Sequence, residues 1–121
     1  MNSSKILSIT EDTIKNMHKP FTGTDEYRTE PLKNAGSGFT GAAPEDIPRL
    51  MGHLADQISS SQFTLTPAEL AAMASKRLTD IQPFASDNER TADALKYFIL
   101  KHYDCNTETD IEALFSDSII L

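Results

Sequence analysis

The chain predicts a mainly α domain, a helical bundle of about five to six helices with a small β-hairpin. Three observations carry that expectation. Helix-start signatures recur along the sequence, and apolar residues follow each of them at helical spacing. The glycines crowd instead into one stretch, residues 19–43, which holds four of the five and has no helical period. With 121 residues, 39% of them apolar and 24% charged, the whole chain, 1–121, reads as one folded domain with a single core.

The elements follow in order. Ser8-Ile9-Thr10-Glu11 fits a capping box, which opens a short helix that should run to about His18 and stop at Pro20. The stretch 19–43 reads as loop plus a weak hairpin over residues 28–42, its turn at Asn34 to Gly38. Pro44-Glu45-Asp46 opens the next helix, with proline where no amide partner is needed and acids at the positive end of the dipole. Ile47, Leu50, Met51, Leu54 and Ile58 then mark its buried face. Thr66-Pro67-Ala68-Glu69 is a second capping box, followed inward by Leu70, Ala71, Ala74, Leu78 and Ile81. Pro83 closes that helix. Ser86-Asp87-Asn88-Glu89 reads as the capping box of the next, which should carry Ala94, Leu95, Phe98, Ile99 and His102 inward. Thr109-Asp110-Ile111-Glu112 starts a last short helix whose tail, Ile119 to Leu121, is expected to dock on the core.

Charge and composition exclude several function classes. The formal charge is −7, and the eleven Lys and Arg are scattered singly, so no basic stripe follows a phosphate backbone and nucleic acid is not an expected partner. No apolar run is long enough for a membrane span, and MNSSKILSIT lacks the core of a signal peptide, so a cytoplasmic protein is the expectation. Cys105 is the single cysteine, which rules out an internal disulfide and fits an ordinary free thiol in a reducing compartment.

Periodicity by itself names no function, since helix, proline, capping box, helix is an ordinary way to turn a chain. The residues in the turn say more. Ile81-Gln82-Pro83-Phe84-Ala85-Ser86-Asp87-Asn88-Glu89-Arg90 resembles the core of the Fic/Doc (Fido) family, whose signature reads His-Pro-Phe-x-Asp-Gly-Asn-Gly-Arg between two helices. Pro83, Phe84, Asn88 and Arg90 match at the right offsets. Gly23-Thr24-Asp25-Glu26-Tyr27-Arg28 is similar to the family's Gly-x-x-x-Tyr-Arg-like entry, and Ala43-Pro44-Glu45-Asp46-Ile47-Pro48-Arg49-Leu50-Met51 to its Pro-Pro-Glu-x-Ile-Pro-x-Leu helix start. The similarity is strongest over residues 23–103.

The resemblance implies transfer of AMP, or another phosphate-bearing group, from a nucleotide to a target hydroxyl. In that chemistry a histidine takes the hydroxyl's proton, an acid holds the metal, glycines let backbone approach the phosphates at a helix N-terminus, and arginines pair with them. Carried across, most chemical positions are altered. Gln82 stands for the histidine and has no basicity near neutral pH, commonly a loss of roughly 10²- to 10⁴-fold. Ser86 replaces the metal-holding acid, and Asp87 and Glu89 replace both glycines, adding negative charge where phosphates would sit. Asp93 falls where many members carry a second arginine, which leaves Arg90 as the loop's cation. In this reading Pro83 and Phe84 keep the scaffold, while Ser86 and Glu89 take over the helix-start amides. No catalytic set is intact, and no cofactor or metal is expected; an active version would use ATP and magnesium.

Three further features are candidates. His53 lies on the second predicted helix as a displaced base, although a lone helix histidine is usually an exposed or hydrogen-bonded residue. His18 and His102 have no partner at metal spacing, so no zinc site is expected. Thr22 to Glu26 matches part of the family's inhibitory Ser/Thr-x-x-x-Glu helix, but Gly23 interrupts any helix there and the match is treated as chance.

The expected function is therefore a catalytically inactive Fic-like domain that binds a protein partner, by strand addition at the hairpin 28–42, in the cytoplasm or as a delivered bacterial effector. One alternative is a remodelled nucleotidyl transferase that depends on Asn88 and Arg90. The other is an unrelated helical interaction domain, in which Phe84 would be exposed.

Overall fold

The computed structural model describes residues 6–32 and 41–103, and there the chain forms four α-helices and one 3-10 turn. An extended lead-in alternates sides, with Leu7 and Ile9 buried and Ile6 and Ser8 exposed. Leu7 is held at both backbone groups by one side chain. Its N–H donates to Gln62 Oε1 at 2.8 Å, and Gln62 Nε2 donates to its carbonyl at 2.9 Å.

Helix α1 spans Glu11–Thr22 and is capped by Thr10, not Ser8. The Thr10 hydroxyl accepts the Thr13 N–H at 3.2 Å, and the Thr13 hydroxyl accepts the Thr10 N–H at 3.1 Å. Ile9 is needed in the core as extended chain, which moves the cap two residues on. The helix also runs past His18 and through Pro20. A proline's fixed φ is itself helical, and this exposed one forfeits a single bond near the helix end. The stop is Gly23, left-handed at φ +83°, whose N–H bonds Lys19 O at 2.7 Å.

The 3-10 turn, Pro44–Asp46, leads into α2, Ile47–Ser61, so the proline and acids open the helix as expected. Ile47, Met51, Leu54 and Ile58 are buried and Leu50 partly so. Helix α3, Pro67–Ile81, has the anticipated box: Glu69 N–H to Thr66 Oγ1 at 3.1 Å, and Thr66 N–H to Glu69 Oε1 at 3.0 Å. Its inward Leu70, Ala71, Ala74, Leu78 and Ile81 are all buried, and the small residues let α3 lie close against α4, Asn88–His102, in the broadest helix contact of the fold.

Helix α4 departs from expectation along its length. Leu95 and Ile99 are buried, but Phe98 is 42% exposed and Ala94 and His102 are only half-buried. The inward line runs instead through Asn88, Thr91, Ala92, Leu95, Ile99 and Leu100. The apolar residues of this helix cover more of its circumference than α3 and α1 bury, so spacing alone did not say which edge stays outside.

The expected count of five to six helices and the hairpin flap are not found among the described residues. Residues 28–32 and 41–42 form no strand, and the turn at Asn34 to Gly38 lies outside the described residues. So do Cys105, the helix expected from Thr109, and the tail Ile119 to Leu121. Among the described residues no helix is long and apolar enough to cross a membrane.

Candidate functional site

The link between α3 and α4 is held by hydrogen bonds from side chains to its backbone. Helix α3 ends where Gln82 turns left-handed, φ 49°, with its N–H still on Leu78 O at 2.8 Å, and Pro83 then denies the helix a further donor. Asn88, from the first turn of α4, closes the loop on itself. Its Oδ1 accepts the Phe84 N–H at 2.8 Å and its Nδ2 donates to the Phe84 carbonyl at 2.9 Å. A buried amide thus spends both ends on one residue. The ring of Phe84 is fully buried, stacked on His18 at 3.8 Å and 5° and tilted against Tyr27 at 5.8 Å. The exposed Phe84 that an unrelated domain would show is not found.

Arg28 is a second organiser, and its role was not anticipated from sequence. Its guanidinium caps the C-terminal end of α3, donating to Gln82 O at 2.6 Å and reaching Ile81 O at 3.4 Å, where the helix dipole favours a cation. It also donates to Ala42 O at 2.6 Å and Glu30 O at 3.0 Å, so one side chain ties both flanks of the glycine-rich stretch to the loop. Burial pulls the guanidinium below its ordinary value, yet it stays charged. Backbone bonds run alongside: Arg28 N–H to Pro83 O at 2.9 Å and Ala42 N–H to Ile81 O at 3.0 Å. Gly41 is confined by this seam, since a Cβ there would sit 2.8 Å from Ile81 O and φ is +76°.

The start of α4 corrects the sequence reading. Its N-cap is Asp87, left-handed at φ 59°, and among the described residues no side chain caps its amides. A capping box needs an extended cap residue with its glutamate three positions on. With Asp87 as the cap, Ser86 lies outside the helix and Glu89 comes one position too early to reach back. Ser86 Oγ instead donates to Asp87 Oδ2 at 3.2 Å, and Glu89 is exposed. Asp87 Oδ1 faces Arg90 Nε at 3.7 Å, and the Arg90 guanidinium lies 5.9 Å from the centre of the Phe21 ring. The Arg90 side is largely open to water, so the pair's own worth is at most about 1 kcal/mol. Its effect on an incoming anion is larger than its effect on stability, because Asp87 places a carboxylate beside the cation.

These residues, with Leu32 and Thr79, line an open cavity of about 470 Å³. A second hollow of about 590 Å³ adjoins it along Leu32, Ala85 and Ser86, and is bordered by His18, Thr24, Glu26 and Glu30. The structure therefore brings together Gln82, Ser86, Asp87, Asn88, Glu89 and Arg90. It does not bring His53, which is exposed on α2 and borders neither cavity, or His102, which stands edge-on to Tyr103 at 4.7 Å. Thr22 and Glu26 are separated by the helix-ending Gly23. Among the described residues no group of three or more His, Cys, Asp or Glu is placed to hold a metal.

Chemically, the loop offers no base at Gln82, one cation at Arg90, two carboxylates, and helix-entrance amides without a side-chain cap. The family model for Fic/DOC matches residues 3–100. Among solved structures, a Fic domain containing signaling protein from Bacteroides thetaiotaomicron is 32% identical with a TM-score of 0.74, the match covering 83% of this chain and 41% of that one. A fragment of Fic-1 from C. elegans is 28% identical with a TM-score of 0.65, covering 79% of this chain and 29% of that one. The chain thus spans less than half the length of either. No curated protein matches it.

Proposed function

Because the chain belongs to the Fic/DOC family, we propose that it is a Fic domain without transferase activity, serving as a protein-binding or regulatory module. The observation that carries this reading is the Asp87–Arg90 contact at 3.7 Å in a loop whose base position holds Gln82. A nucleotide's phosphates need Arg90 free and the helix entrance unopposed. Here Asp87 already faces Arg90, and Glu89 adds a second charge of the same sign as the ligand. At ~1 to 4 kcal/mol per close charge pair, two carboxylates against one arginine leave a triphosphate in net repulsion. Gln82 brings a carboxamide with no useful basicity to the position of the base, and Ser86 supplies no charge to balance magnesium.

The module's partner is a protein, engaged along the segment 28–42 by added strand pairing, and the net charge of −7 selects a basic one. Arg28 supports this by fixing both ends of that segment to the loop.

A second reading, a remodelled nucleotidyl transferase, has one observation in its favour. The entrance of α4 opens without a side-chain cap beside a cavity of about 470 Å³, and helix N-termini attract anions. Titration with ATP and magnesium separates the two. A site with a Kd of about 100 μM gives about 2.7 kcal/mol of stabilisation at about 10 mM ligand, an obvious thermal shift. The module reading expects none, and a shift abolished by R90A overturns it. Restoring Q82H, S86D, D87G and E89G together should then yield AMP transfer to protein, which tests whether the scaffold itself is competent.

A further inference from the structure

His18 is fully buried, and both of its ring nitrogens face backbone oxygens. Nδ1 lies 2.9 Å from the Thr24 carbonyl, on the chain leaving α1, and Nε2 lies 3.0 Å from the Ser86 carbonyl, in the loop between α3 and α4. A carbonyl only accepts. A neutral imidazole has one N–H, so it can satisfy one of these oxygens and must turn a lone pair toward the other; only the imidazolium donates to both. The ring lies flat on Phe84 at 3.8 Å, a face that favours a cation. The three residues joined by this ring, His18, Thr24 and Ser86, are also three walls of the same hollow of about 590 Å³.

We propose that His18 is a proton-operated clamp that holds the segment after α1 against the Ser86 loop when both nitrogens carry hydrogen, and lets go of one side when one is lost. The Thr22 hydroxyl stands 3.4 Å from Nδ1 and 3.5 Å from Nε2, so it can turn its hydrogen to whichever lone pair is exposed when one side lets go. The proton leaves to solvent through the hollow the ring borders. The charged and titratable groups around the clamp come from each neighbouring segment: Glu26, Tyr27, Arg28 and Glu30 line the hollow from the chain after α1, Asp87 adjoins Ser86 at the start of α4, and α1 itself contributes the neutral Thr22. Arg28 and Asp87 are already engaged, by backbone carbonyls and by Ser86 and Arg90 respectively. Closing the clamp narrows the hollow between the segment and the loop, and opening it widens that hollow. The inference is independent of whether the adjoining cavity binds nucleotide.

The test is NMR on the intact wild-type chain, following the His18 ring nitrogens and amide exchange between about pH 5 and pH 8. Two N–H type nitrogens are expected at the acid end, giving way to one N–H nitrogen and one bare nitrogen. Over the same titration the protection factor of the Arg28 amide, bonded to Pro83 O, should fall by about tenfold, the worth of one charge-assisted hydrogen bond. The Gln62 amide, bonded to Ile58 O in α2, is the control that should not change. In H18Q, whose amide nitrogen keeps two hydrogens at every pH, the Arg28 protection should lose its pH dependence. A ring in one protonation state throughout, or one that titrates while the Arg28 amide stays constant, overturns the proposal.

Discussion

Phe84 and Phe98 are the same side chain in opposite surroundings, one fully enclosed between His18 and Tyr27, the other 42% exposed on α4. Phe84→Ala should therefore cost about 3–5 kcal/mol, and Phe98→Ala at most about 1 kcal/mol, in urea denaturation. Tyr27 makes a second residue-scale case. Its hydroxyl donates to Glu11 Oε1 at 2.8 Å, and burial first, then that carboxylate, pushes the phenol well above its ordinary value of 10.0. The folded state thus keeps this proton more tightly than the unfolded chain. The corresponding stability is complete below about pH 10 and declines as pH rises beyond it. Tyr27→Phe should cost about 1 kcal/mol at neutral pH and flatten the fall of Tm in the alkaline range, as calorimetry across that range would show.

At the scale of elements, the seam between the glycine-rich stretch and the end of α3 hangs on Arg28. Arg28→Lys keeps a charge but loses the fork that reaches Gln82 O, Ala42 O and Glu30 O together. A loss of about 2–3 kcal/mol in chemical denaturation is expected, with faster exchange of the Ala42 amide. None of this was legible in the sequence, because Arg28 acts on carbonyls distant along the chain and carbonyls leave no residue-type signature. The Thr66–Glu69 box was legible because both partners lie within one turn. Ser86 and Glu89 have the same spacing and form no box, since Asp87 takes a left-handed φ that a one-dimensional pattern does not reveal. Likewise the residues of the candidate site could be named from the motif, while the two bonds that hold His18 depend on residues 24 and 86 and had no local trace.

On the scale of the whole molecule, the long-range bonds gather at two ends of the bundle. One is the loop end, where His18, Arg28 and Asn88 converge on residues 81–88. The other is remote from it, where Gln62 at the close of α2 grips the backbone of Leu7 and its Oε1 also receives the Tyr103 hydroxyl at 3.4 Å. Leu7 and Ile9 are 1% and 4% exposed, so that grip seals the lead-in over the core. An expression fragment trimmed to start at Thr10 would look harmless, since it leaves all four helices whole. It should nonetheless melt at a lower temperature and bind a hydrophobic dye, because trimming bares the apolar floor under two aliphatic side chains and leaves the Gln62 carboxamide searching for water.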